Sequence, residues 1–160
     1  MWSYLQVFKM VQEKEIFGDF GNLNNLEKTI FEIVVDEISS LLNVGAQFKM
    51  SLLRDNKPEL KHFVQVEIPP IIYEDNSYIG FWYNGNNKLI EDVALSLGGD
   101  YSSMKYDLGL ALENIGIELG CSELRTFVAA QTEPWETLHY MKRKKENQEY
   151  YFKCLTPENN

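Results

Sequence analysis

The stretch "AQFKMSLLRDNKPELKHFVQVEI" (46–68) decides the fold. Phe48, Met50 and Leu52 alternate with Gln47, Lys49 and Ser51. After a proline-containing turn, Leu60, His62, Val64, Val66 and Ile68 alternate in the same way. Two period-two runs joined by "DNKPE" predict a β-hairpin with one apolar face. Pro69 and Pro70 end the second strand, because proline cannot donate to the ladder. His62 shares the apolar face and has no second histidine or cysteine at ligand spacing, so it reads as a core histidine rather than a metal ligand.

Outward from the hairpin, "SYIGFWY" (77–83) predicts a further strand, apolar on both faces and hence central or covered on both sides, with Gly80 marking a bulge or a close backbone approach. "WSYLQVFKMV" (2–11) alternates as a strand. Leu23, Leu26, Ile30, Ile33, Val34, Ile38 and Leu41 form a helical stripe, with Asn24 and Glu27 spaced as a capping box and Asn43 with Gly45 as its end. Leu89, Ile90, Val93, Ala94 and Leu97 are spaced as a short helix. Met104, Leu108, Leu112, Ile115 and Leu119 are spaced as a second long one, stopped by Gly120. "SELRTFVAA" (122–130) reads as a strand, Pro134 to Lys145 as a last helix and "EYYFKCL" (149–155) as a final strand. The expectation is an α+β fold: one domain over residues 1–155, a mainly antiparallel central sheet flanked by three to four helices, and a frayed tail at 156–160.

The composition narrows the function. The chain has 160 residues, a net charge of −9 and two isolated cysteines, and six of the nine net negative charges fall between residues 61 and 120. There is no apolar run of membrane-spanning length, no signal-peptide pattern and no disulfide framework, so a reduced, cytoplasmic location is expected. The acidic field disfavours nucleic acid, and "HYMKRKK" (139–145) reads as a solvated helix end. No phosphate-binding loop, nucleophile elbow or metal-ligand spacing occurs, so neither cofactor nor metal is expected.

"LENIGIELGCSELRTFVAAQTEPWETLHYMKRK" (112–144) resembles the distal half of the GNAT-type N-acetyltransferases: a helix ending in Gly-Cys, a strand, then a helix ending in an aromatic and a lysine. "YEDNSYIGF" (73–81) is similar to that family's second strand. The resemblance implies an acetyl-coenzyme A enzyme in which Tyr140 protonates the departing thiolate. The pyrophosphate loop such a family places before its central helix has no counterpart in "GGDYSSMKYDLG" (98–109), where Gly98, Gly99 and Gly109 are wrongly spaced.

The acetyltransferase is the alternative; the main expectation is a non-enzymatic protein-binding inhibitor, of the bacterial toxin-immunity or antitoxin kind, that neutralises a basic, nuclease-type toxin. Its binding edge would comprise Tyr73, Glu74, Asp75, Asn84, Glu91, Asp92, Asp100 and Asp107, the acidic and aromatic groups that flank the 77–83 strand.

Overall fold

The computed structural model describes residues 3–10, 16–18, 23–42, 47–56, 58–72, 75–127 and 131–155; for the first two of these segments it describes the backbone alone. The elements in chain order are β1 (Ser3–Met10), β2 (Ile16–Gly18), α1 (Asn25–Leu41), β3 (Gln47–Asp55), β4 (Lys61–Ile68), β5 (Ser77–Asn84), β6 (Leu89–Ser96), α2 (Lys105–Glu118), β7 (Glu123–Thr126), β8 (Met141–Lys145) and β9 (Gln148–Cys154). The strands form one sheet in the order β2-β1-β3-β4-β5-β6-β7-β9-β8. Every neighbouring pair is antiparallel except β6 and β7, which run parallel with α2 as their crossover.

The hairpin at 46–68 forms in the expected register, with Met50 opposite Val66 and Leu52 opposite Val64. β4 alternates strictly between half-buried and buried residues, and its buried side (His62, Val64, Val66, Ile68) continues through Phe48, Met50 and Leu52 on β3 and Ile79, Phe81 and Tyr83 on β5. α1 and α2 touch each other and lie on this side. The opposite side has no helix among the described residues. Tyr78 is exposed there, while Phe63, Gln65, Glu67 and Trp82 are half-buried.

The expectation of three to four flanking helices is therefore corrected to two among the described residues, in a sheet-dominated α+β fold. Leu89–Leu97 is not a helix but β6. Its register shifts opposite Phe81, where Asp92 takes a left-handed φ of 55°. The extra residue of the bulge puts Ile90 and Val93 on the same face of the strand, three apart, and this imitates helical spacing. Pro134–Lys145 is not a helix either. Residues 133–139 are turns, His139 has φ 68°, and the basic run is the edge strand β8, returned to β9 by Glu146 and Asn147 at φ 52° and 67°. Two successive positive-φ residues are what a tight hairpin requires. The expectation that 77–83 is central or covered on both sides is met by its place inside the sheet, between β4 and β6; helices cover only its Ile79–Phe81–Tyr83 side.

Other local expectations hold. Asn24 and Glu27 close the capping box at the start of α1, each side chain bonding the other's backbone N–H. A Cβ on Gly80 would sit 3.2 Å from the Phe63 ring, so the glycine allows the close approach. Asn43 and Gly45, and the tail at 156–160, lie outside the described residues.

Candidate functional site

β4 ends at Ile68, Pro69 to Ile72 follow it, and the sheet resumes at Ser77. Ile71 and Ile72 are 65% and 81% exposed, the most exposed isoleucines among the described residues. Two adjacent apolar side chains in water do not result from packing, so something else must hold them there. The Asp100 carboxylate does so: it accepts from the Ile71 N–H at 2.9 Å and from the Ile72 N–H at 3.2 Å. Two charge-assisted hydrogen bonds and two preceding prolines hold Ile71 and Ile72 in place. On the far side of the loop, Glu67 accepts from Asn76 Nδ2 at 2.9 Å and from the Tyr78 hydroxyl at 3.1 Å. The loop base is tight, since a Cβ on Gly98 would lie 2.4 Å from the Asp75 carbonyl oxygen, and the Gly98 N–H bonds Ser77 Oγ at 2.8 Å.

The residues expected to form a binding edge divide between the two ends of β5, about 23 Å apart for seven residues of strand. At the loop end are Asp75, which is exposed, and Asp100; Asp107, also exposed, lies in the first turn of α2. Tyr73 and Glu74 belong to the same loop in sequence but lie outside the described residues. At the hairpin end are Asn84, Glu91 and Asp92. Asn84 is fully buried: its amide donates to Glu59 and Glu91 at 3.1 Å each, and its oxygen accepts from the Asn87 N–H. Glu91 pairs with Lys61 at 3.3 Å. Asp92 is exposed as a residue, but its carboxyl is partly withdrawn from water, and that desolvation, with the neighbouring Glu91 charge, raises its pKa. Arg125 and Lys145 share with it a cleft of about 260 Å³, so positive and negative groups are mixed at this end.

Sequence reasoning missed Ile71 and Ile72. The available signal was two isoleucines directly after Pro-Pro, outside any alternating run. It also missed the role of Asp100 as the holder of the loop.

Elsewhere the polar groups are internal. Glu27, fully buried, accepts from His62 Nε2 at 2.9 Å and from both arms of the Arg54 guanidinium. Cys121 is buried, and burial pushes its thiol up to about 11, far from the thiolate a nucleophile needs. Tyr140 is buried against Trp135, with ring centroids 5.0 Å apart, and its hydroxyl is held strongly protonated, first by burial and then by Glu113. A cleft of about 520 Å³, lined by Leu95, Leu97, Ser102, Lys105 and Gln131–Pro134, opens at the carboxyl end of β6 beside the start of α2; Tyr140 does not line it. Among the described residues no group of three histidine, cysteine or acidic side chains could hold a metal ion, and no helix is long and apolar enough to cross a membrane.

Comparison of the chain with protein-family models, with curated proteins and with solved structures found no match.

Proposed function

We propose that this protein is a non-enzymatic inhibitor that captures a basic protein partner, in the manner of a bacterial immunity protein or antitoxin neutralising a nuclease toxin. The observation that carries this reading is the exposed Ile71–Ile72 pair, held by the Asp100 carboxylate in a chain that also exposes Asp75 and Asp107. An apolar anchor on an acidic protein has the anatomy of an interface hot spot: the anchor slows release, and the charges speed encounter with a cation-rich surface. Pre-ordering by Asp100 and the prolines reduces the entropy lost on binding. The reading is tested by co-expressing the chain with the basic polypeptide encoded beside its gene. Wild type should co-purify with that polypeptide and suppress its activity, while I71D/I72D should do neither.

One observation favours the acetyltransferase alternative. The 520 Å³ cleft falls in the size range of cofactor sites and lies at the carboxyl end of a parallel strand, where the sheet switches from antiparallel to parallel. Against it, α2 opens through a 3-10 turn at Ser102–Met104 with no side-chain cap, and the helix that should precede Tyr140 is replaced by turns. Calorimetric titration with acetyl-coenzyme A decides between the two: no saturable heat is expected, and a clear binding isotherm would promote the enzyme reading.

A further inference from the structure

β8 is the last strand of the sheet, so one of its edges has no strand beside it among the described residues. All five of its residues are exposed, and its register with β9 is unbroken from Met141↔Phe152 to Lys145↔Gln148. Sheet edges are commonly blunted by a bulge, a proline, a covering loop or lysines. β8 has no bulge or proline and no cover among the described residues, so it presents outward N–H and C=O groups, and its lysines repel a basic strand while leaving the edge open to an acidic one. The strand also carries Lys142, Arg143, Lys144 and Lys145, four of the 15 basic residues in a chain of net charge −9. Alternation sends Lys142 and Lys144 to one side of the sheet and Arg143 and Lys145 to the other. Two of these are braced, Arg143 at 3.7 Å from the Phe152 ring centroid and Lys142 at 5.5 Å from that of Tyr151.

We propose that β8 is a docking edge for an extended acidic segment of a partner protein, added to the sheet as a further strand. The backbone row would supply the ladder, and cations on both sides would select for carboxylates on alternate residues of the incoming strand. This inference is independent of the apolar loop. A second copy of the chain is the wrong occupant, because pairing β8 with itself opposes lysine and arginine with their own kind. A nucleic acid would use the cations but not the backbone row, and would meet the negative field of the rest of the molecule.

The test is fluorescence anisotropy of a labelled heptapeptide alternating glutamate with valine, titrated with the full chain at low ionic strength. Saturable binding is expected. It should weaken about tenfold in K142E/K144E, a loss of about 1.4 kcal/mol, with the variant's circular dichroism unchanged. It should disappear when alternate backbone amides of the peptide are N-methylated, and be unaffected by I71D/I72D. No saturable binding would overturn the proposal, and so would equal binding of the N-methylated peptide, which would reduce the edge to a charged surface. Tighter binding of a single-stranded oligonucleotide than of the peptide would also overturn it.

Discussion

Glu27 carries three duties on one carboxylate: it closes the capping box of α1, takes the Arg54 guanidinium and accepts from His62. It therefore joins the start of the helix to β3 and β4 at the point where Arg54 and His62 face each other across the ladder. Burial alone would raise its pKa, but Arg54, the Asn24 N–H and His62 outweigh that and hold it below the ordinary 4.5. His62 is displaced downward from 6.5, chiefly because burial disfavours its charged form. The unfolded chain thus takes up a proton at His62 below about pH 6.5, and at Glu27 below about pH 4.5, more readily than the folded one does. Both contributions to stability are complete above pH 6.5, and both are lost on acidification. The thermal midpoint should fall as pH drops from 7 toward 5, then fall further below 4.5, and H62F should lack the first part of that fall. Breaking the pair by E27Q should cost about 3 kcal/mol in denaturant titration, the low end for a buried pair because water reaches Arg54. A flat profile between pH 7 and 5 in the wild type would remove His62 from this account. Ile71 and Ile72 present the opposite case. They are exposed, so I71D/I72D should shift the unfolding midpoint by no more than about 0.5 kcal/mol, while its complex with the basic partner should dissociate about thirtyfold faster, the equivalent of a 2 kcal/mol anchor.

At the scale of elements, the base of the β4–β5 loop is set by contact between backbones. G98A would drive a methyl group into the Asp75 carbonyl, and nothing there is a flexible side-chain end that could yield. The substitution should cost about 2 kcal/mol and should speed hydrogen exchange at the Ile71 and Ile72 amides as the loop lifts from Asp100. Unchanged exchange would mean that the loop is held by Asp100 alone. The same scale explains which elements were legible in the sequence. The β3–β4 hairpin and α1 were, because alternation, a proline turn and a capping box each agree with the tertiary outcome. β6 was not, since the bulge at Asp92 gives one strand the spacing of a helix. β8 was not, because Lys-Arg-Lys-Lys has no alternation to read and its partner β9 comes after it; the Asn147 turn was the one cue. Of the candidate site, the acidic members and the neighbourhood of the loop were legible. The burial of Asn84 between Glu59 and Glu91 was not, because it depends on how β5 pairs with its neighbours.

For the whole molecule, two helices cover one side of the sheet, and several polar groups lie inside it: Glu27 with His62, Glu113 with Lys153 at 3.0 Å, and the buried Tyr140 hydroxyl. Facing outward are an apolar loop near acidic groups at one end and a basic strand at one edge, together with His139 and Cys154. That distribution supports a molecule that works by contact, with charge setting how fast contact is made. The most direct test of the proposed capture is the association rate with the basic partner, measured by stopped flow across a range of salt concentrations, for wild type and for D75K/D107K. Neither side chain makes a hydrogen bond or ion pair among the described residues that the fold requires, so the variant should fold as wild type does. The account predicts a fast wild-type rate that falls steeply as salt is added, and a variant rate at least tenfold slower at low salt and nearly independent of it. Equal rates with equal salt dependence would contradict the proposal that the acidic loop end captures the partner.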